Sequence, residues 1–165
     1  MFEIINVIIY CGFEPIFIDN KKNSFHTNIK LDNFSSNLDD IAAIVITHLN
    51  GINLDVINLK KQITDHNMRN DKIFLIEDCA VAFGSQIDNK NVGTFGDYSF
   101  LSFNIMKNIT SYTGGVLIDN QNKKLNSFIA EYKILSKIDI IKKIIFVFII
   151  QVLNSKIFFP LFFKL

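Results

Sequence analysis

A chain of 165 residues has room for one domain with one real core, and two separate domains would be cramped. Hydrophobic residues make up 49% and charged residues 20%, which excludes a disordered chain; 17 basic against 16 acidic residues net +1, too little field to gather nucleic acid. Two cysteines, Cys11 and Cys79, form no CxxC pair, and no secretory leader opens the chain, so a reducing cytoplasm is the expected setting.

Ile4–Tyr10 is apolar enough for a strand or a buried helix, and Gly12 just after it, a natural helix terminator, tips the reading to helix. Pro15 permits an extended run through Ile16-Phe17-Ile18, after which 20–24 reads as a loop and a short amphipathic helix leads to Leu38. The unbroken apolar run 41–46 has strand length and suits a parallel strand covered on both faces, with His48 and Gly51 just beyond its end. Leu54 to Met68 mixes Leu54, Ile57, Leu59 and Ile63 with Lys60, Lys61 and Asp65, as a surface helix does.

Ile73-Phe74-Leu75-Ile76 is the next buried strand, and Glu77 and Asp78 fall where it stops. Open α/β sheets place their ligands at the carboxyl ends of strands, which singles out Asp78. Strand, helix and strand in alternation predict an α/β layered fold with a mainly parallel sheet. Glycines 84, 93 and 96 precede a strand-like Tyr98–Phe103; Lys107 follows it, and then Gly114-Gly115 lead into Val116-Leu117-Ile118. Beyond Gln121 the chain reads as helix. Sixteen of the 22 residues from Ile144 to Leu165 are apolar, with Gln151, Asn154, Ser155, Lys156, Pro160 and Lys164 breaking the run. A membrane-surface helix, a poor transmembrane span and a segment covered by other protein compete there, and the third ranks first.

Lys107 is the residue that points to chemistry. A primary amine forms an imine with an aldehyde only as the neutral amine. Pyridoxal phosphate needs such a lysine, together with an acid that keeps its ring nitrogen protonated. Taken singly, a lysine after a strand is a solvated surface residue and a strand-end aspartate is a cap or turn former. His48 reads equally well as a pocket residue or a structural one. Cys79 reads as packing, and neither His26 nor His66 has metal-site spacing, so no metal is expected.

In order along the chain, Ile76-Glu-Asp78-Cys-Ala80, Gly84, Val92-Gly93-Thr-Phe-Gly96-Asp97, Ser102-Phe103, Lys107-Asn108 and Gly114-Gly115 resemble the DegT/DnrJ/EryC1/StrS aminotransferases. Upstream, Asn6, Gly12-Phe-Glu-Pro15-Ile-Phe17-Ile-Asp19 and Thr47-His48-Leu-Asn-Gly51 agree in order, so the similarity runs from about residue 1 to about residue 119. The resemblance implies the large domain of a fold type I pyridoxal-phosphate transferase over 1–120, incomplete, followed by a helical, hydrophobic segment over 121–165. It implies that Lys107 carries the cofactor as the internal aldimine and moves the substrate proton. By the same carry-over, Asp78 pairs with the pyridinium nitrogen and Ser102 donates to the phosphate.

The implied reaction passes an amino group, usually from glutamate, to a nucleotide-linked keto sugar in a cytoplasmic homodimer. A dehydratase branch of the family has histidine in place of the lysine, so Lys107 favours transfer. The sequence departs from the pattern in three ways. Val81 stands where the family usually has glutamine; Met1 stands where an aromatic stacks on the ring; and an N-terminal phosphate turn and a C-terminal small domain are not part of the stretch. The chain is therefore expected to be the central piece of such an enzyme, the alternative being a non-catalytic homologue that acts as an interaction or membrane-associated module.

Overall fold

The computed structural model describes residues 2–19, 30–31, 38–49, 54–68, 72–104, 107–121 and 136–156. The first element is helix α1, Phe2–Tyr10. Its isoleucines and valine would suit a strand equally well, and its ends decide the matter. Glu3 lies in the first turn, where it complements the helix dipole. Gly12 takes φ +84° and gives its N–H to the Ile9 carbonyl, while Phe13 reaches back to Ile8, which closes the helix in a left-handed cap. The run from Ile16 to Ile18 enters no sheet. The loop expected at 20–24 lies outside the described residues, as does most of the helix expected before Leu38; a 3-10 turn at Leu38–Asp40 is what is seen there.

Strand β1 spans Ala43–Thr47, and helix α2 spans Val56–Asn67. Asp55 caps α2 by accepting the Asn58 N–H on its side chain. Val56, Leu59 and Ile63, spaced by three and four, turn one stripe of α2 into the core. The Asn67 side chain then acts as a piece of backbone: its amide gives to the Ile73 carbonyl at 2.9 Å and its carbonyl takes the Ile73 N–H at 2.8 Å. That pair delivers the chain into strand β2, Phe74–Asp78. Glu77 and Asp78 are thus the last two residues of the strand itself.

A small hairpin follows, with β3 at Gln86–Ile87 and β4 at Lys90–Asn91. Its turn residues Asp88 and Asn89 both have positive φ, the conformation that matches the twist of a two-residue hairpin. Strands β5, Tyr98–Ser102, and β6, Gly115–Asp119, complete a four-stranded sheet in the order β1-β2-β5-β6. The first three strands are parallel and β6 runs antiparallel to β5. Helix α3, Lys137–Leu153, is capped by Ser136 and buries none of its residues.

The core lies on one face of the sheet. Ile44 and Ile46 of β1 and Leu75 of β2 meet Val56, Leu59 and Ile63 of α2 there, with Leu31 and Ile73 at the margin. Strand residues alternate between faces, so Val45, Thr47, Ile76 and Asp78 belong to the other face, where Val45, Thr47 and Ile76 are only half-buried. Leu75→Ala is expected to lower stability by about 3 kcal/mol in urea denaturation, because the fully buried site cannot collapse. Ile145→Ala on α3 should stay within about 0.5 kcal/mol.

Candidate active site at the carboxyl edge of the sheet

The carboxyl ends of β1, β2 and β5 form one edge, and the register fixes what stands on it. Thr47 lies beside Asp78, and Asp78 beside Phe100, so Ser102 stands two residues further out on β5 and on the same face as Asp78. Lys107 is half-buried in the loop that joins β5 to β6, its N–H bonded to the Asn104 carbonyl at 3.3 Å. The next residue ties that loop to the turn after Asp78: the Asn108 side-chain amide donates to the Val81 carbonyl at 3.0 Å. Asp78, Ser102 and the Lys107 loop therefore share one edge.

Glu77, one residue before Asp78, points to the opposite face and is wholly buried. Its Oε1 accepts the N–H groups of Phe95 at 2.8 Å and Gly96 at 2.6 Å, and its Oε2 accepts the N–H of Gly93 at 2.9 Å. His48 Nε2 lies 3.1 Å from the same Oε2. Burial works to raise this carboxyl, and the bonds from His48, Gly96, Gly93 and Phe95 outweigh it, holding Glu77 below its ordinary range. Gly96 is required where it stands, since an added Cβ would come within 2.8 Å of the Leu75 carbonyl oxygen and 3.1 Å of Glu77 Cγ.

Further bonds fasten the same loop. Ser99 Oγ donates to the Gly93 carbonyl at 2.7 Å, and the Asn120 amide reaches the carbonyls of Gly93 and Gly96. Asp97, 2% exposed, takes the Leu75 N–H at 2.8 Å, pairs with Lys60 at 2.9 Å and accepts from Gln121. Glu77, Asp97 and Asn108 went unnoticed as positioning groups in the sequence reading. Only Glu77 left a signal there, an ionisable residue inside an apolar strand.

The side-chain ligand atoms of His48, Glu77 and Cys79 lie within 4.8 Å of one another, close enough for one cation to reach all three. In this structure Glu77 is the centre of a hydrogen-bonded anchor. The Glu77 oxygens are taken by amides and His48, and the Cys79 thiol is pushed up to about 12 by burial and by the charges of Glu77 and Asp78, so it keeps its proton. Of the two free thiols, Cys11 is exposed and Cys79 buried. A disulfide reagent at neutral pH should titrate one thiol in the native chain and two after denaturation; two native thiols would show that Cys79 is accessible.

The open face is different. Asp78 is 4% exposed, its Oδ1 takes the Ala80 N–H at 2.9 Å, and among the described residues no cation pairs with it. A buried carboxylate with so few partners suits a cationic ring nitrogen. Among the described residues the Lys107 side chain likewise has no carboxylate partner, and the Ser102 hydroxyl receives a long 3.5 Å contact from the Asn104 N–H. A carboxylate, a hydroxyl and an amine are the donor set that pyridoxal phosphate takes, and these residues fit it. Val81 supplies no polar side chain beside them.

Three parallel strands and one antiparallel strand, covered by α2 on one face, agree with the large domain of a fold type I pyridoxal-phosphate transferase. Residues 3–135 match the DegT/DnrJ/EryC1/StrS aminotransferase family, and the chain belongs to that family. It is 36% identical over 116 residues to the GDP-perosamine synthase of Escherichia coli O157:H7, covering 70% of this chain and 30% of the relative. It is 33% identical over 118 residues to the GDP-perosamine synthase of Vibrio cholerae, covering 72% of this chain and 30% of the relative. The fold of Spr1654 from Streptococcus pneumoniae, solved in its PLP form, superposes with a TM-score of 0.61 at 22% identity over 72% of this chain and 32% of that one. The chain thus spans about 30% of the length of the curated relatives it matches.

The Glu77 anchor carries a pH dependence. Its folded pKa is lowered, so its stabilisation is fully present above the unfolded carboxylate value of about 4.3 and is lost as pH falls through the lower folded value. Glu77→Gln should cost about 3 kcal/mol at neutral pH and flatten the acid limb of the stability curve, measured by urea denaturation from neutral to acid pH. An unchanged acid limb would remove Glu77 from this role.

Proposed function

We propose that this chain holds pyridoxal phosphate at the carboxyl edge of the sheet and serves the transfer of an amino group to a nucleotide-linked keto sugar. The observation that carries the proposal is the shared edge: Asp78 and Ser102 on one face, with the Lys107 loop fastened to the Asp78 turn through Asn108. The matched relatives named as GDP-perosamine synthases support the substrate class. Residues 1–120 are assigned to the cofactor-binding sheet and 121–165 to a separate hydrophobic segment. Glutamate as donor, a homodimer and a cytoplasmic setting complete the reading, carried over from the family resemblance.

When bound, pyridoxal phosphate supplies an electron sink for the carbon that gains or loses nitrogen. The chain's own groups do the rest. Asp78, 4% exposed, would hold the proton on the ring nitrogen by its negative charge. Ser102 would give a hydrogen bond from its hydroxyl to a phosphate oxygen, as a neutral donor can. Lys107 Nζ would hold the cofactor's aldehyde end and would serve as the base that carries a proton to and from the substrate carbon. Asn108 keeps the Lys107 loop against the turn that follows Asp78.

The purified chain should retain visible absorbance after incubation with pyridoxal phosphate and dialysis, and borohydride reduction should fix the pyridoxyl mass on the peptide containing Lys107. Lys107→Ala should abolish the fixed mass and lower any transfer by about 10²–10⁴-fold. Asp78→Asn should keep the fixed mass and lose transfer, because attachment needs no charge at the ring nitrogen. Fixation on another lysine, or none in the unaltered chain, would overturn the assignment and leave the non-catalytic alternative.

A further inference from the structure

Two apolar surfaces stay open on the described chain, and their charges differ. The surface of α1 and the segment after it exposes Val7, Tyr10, Phe13, Ile16 and Phe17, and residues 2–19 include Glu3, Glu14 and Asp19 with no lysine or arginine. An anionic lipid surface would repel it. The second surface belongs to α3, whose 137–156 region carries Lys137, Lys142, Lys143 and Lys156 against Asp139 alone, in a chain that nets only +1. Positive charge is therefore gathered at this helix.

One side of α3 lies beside the loop that follows Lys107 without being buried by it. Ile140, Lys143, Ile144 and Val147 face Tyr112 and Thr113 across an open cleft, and Lys143 Nζ donates to Thr113 Oγ1 at 2.9 Å. The other side carries Ile138, Ile141, Ile145, Phe148 and Ile149, spaced by three, four, three and one and so aligned on one face. Their exposures run from 48% at Ile149 to 65% at Phe148. Lys137 and Lys142, both exposed, stand at the two edges of that face in the first turns of the helix.

Length separates lying on a bilayer from crossing it. The 17 residues of α3 measure about 26 Å, and its uncharged stretch, Ile144–Leu153, about 15 Å, half of a hydrocarbon core of about 30 Å. Among the described residues no helix is long and apolar enough to cross a membrane. A second copy docking α3 on α3 would set a further row of lysines against these, whereas anionic headgroups neutralise them.

We propose that α3 seats the chain on an anionic lipid surface, with the Ile141, Ile145 and Phe148 face in the acyl boundary and Lys137 and Lys142 at the level of the phosphates. This goes beyond the proposed amino transfer and does not depend on it. The test is sedimentation of the full chain with vesicles of pure phosphatidylcholine and with mixed phosphatidylcholine and phosphatidylglycerol vesicles.

The expected result is binding to the mixed vesicles that weakens with added salt, and little binding to the neutral ones. Lys137→Gln and Lys142→Gln should each lower the partition constant about fivefold, the equivalent of about 1 kcal/mol per lysine near an anionic surface. Phe148→Asp should abolish binding with an unchanged circular dichroism spectrum, and the two lysine variants keep the test decisive if that protein misfolds. Equal binding to both vesicle types would overturn the proposal. So would no binding to either, including the case where Phe148→Asp instead breaks a concentration-dependent dimer.

Discussion

The buried carboxylate of Glu77 is the constraint from which the rest of the site follows. Charge-assisted bonds from three backbone amides stabilise it by roughly 1.5–3 kcal/mol each, enough to offset a desolvation cost of several kcal/mol. The amides of Gly93, Phe95 and Gly96 can converge on one side chain only if their loop curls over the end of β2. Asp97 emerges from that curl with its N–H on the Leu75 carbonyl and its carboxylate on the Leu75 N–H, so β5 begins at a fixed level beside β2. A slip of one residue would turn Ser99 out of its bond to Gly93 and move Ser102 to the packed face.

The same constraint orients the candidate site. Consecutive strand residues face opposite ways, so fixing Glu77 in the packed layer commits Asp78 to the open one. One face of the sheet is thereby dry and closed by α2, while the other holds a carboxylate and a hydroxyl at an edge that a ligand can approach. The two acids of the Glu77-Asp78 pair do different work because of geometry alone. His48 belongs with Glu77: it directly follows β1, is 1% exposed, and sets its Nε2 against the Glu77 carboxylate as a structural histidine does.

Much of the frame was legible in the sequence. β1 and β2 are built on short apolar runs, β5 mixes serines with aromatic and apolar residues, and α2 shows its buried stripe at a spacing of three and four. For α1, β-branched composition competed with a terminating glycine, and the glycine prevailed because a left-handed cap admits little else. The β3 and β4 hairpin escaped notice because two residues per strand leave no room for alternation; only the Asp88-Asn89 turn marked it. Lys107, Asp78 and Ser102 could be read as an ordered set of motifs. Their anchoring could not, because Glu77, Ser99, Asn108 and Asn120 all bond to backbone atoms, which no pattern of side chains reveals.

Asn108 has a consequence for the residue that departs from the family pattern. The bond that holds the Lys107 loop against the Asp78 turn ends on the Val81 carbonyl, not on its side chain. The side chain at 81 is therefore free of any duty in joining the two loops, and a change there leaves the placement of Lys107 untouched. Glutamine at this position would add a polar group beside the cofactor, and valine removes it, with the same backbone beneath. In the proposed site the departure bears on the polar groups offered beside the ring and not on the backbone bond that fastens the Lys107 loop, because one is carried by a side chain and the other by the main chain.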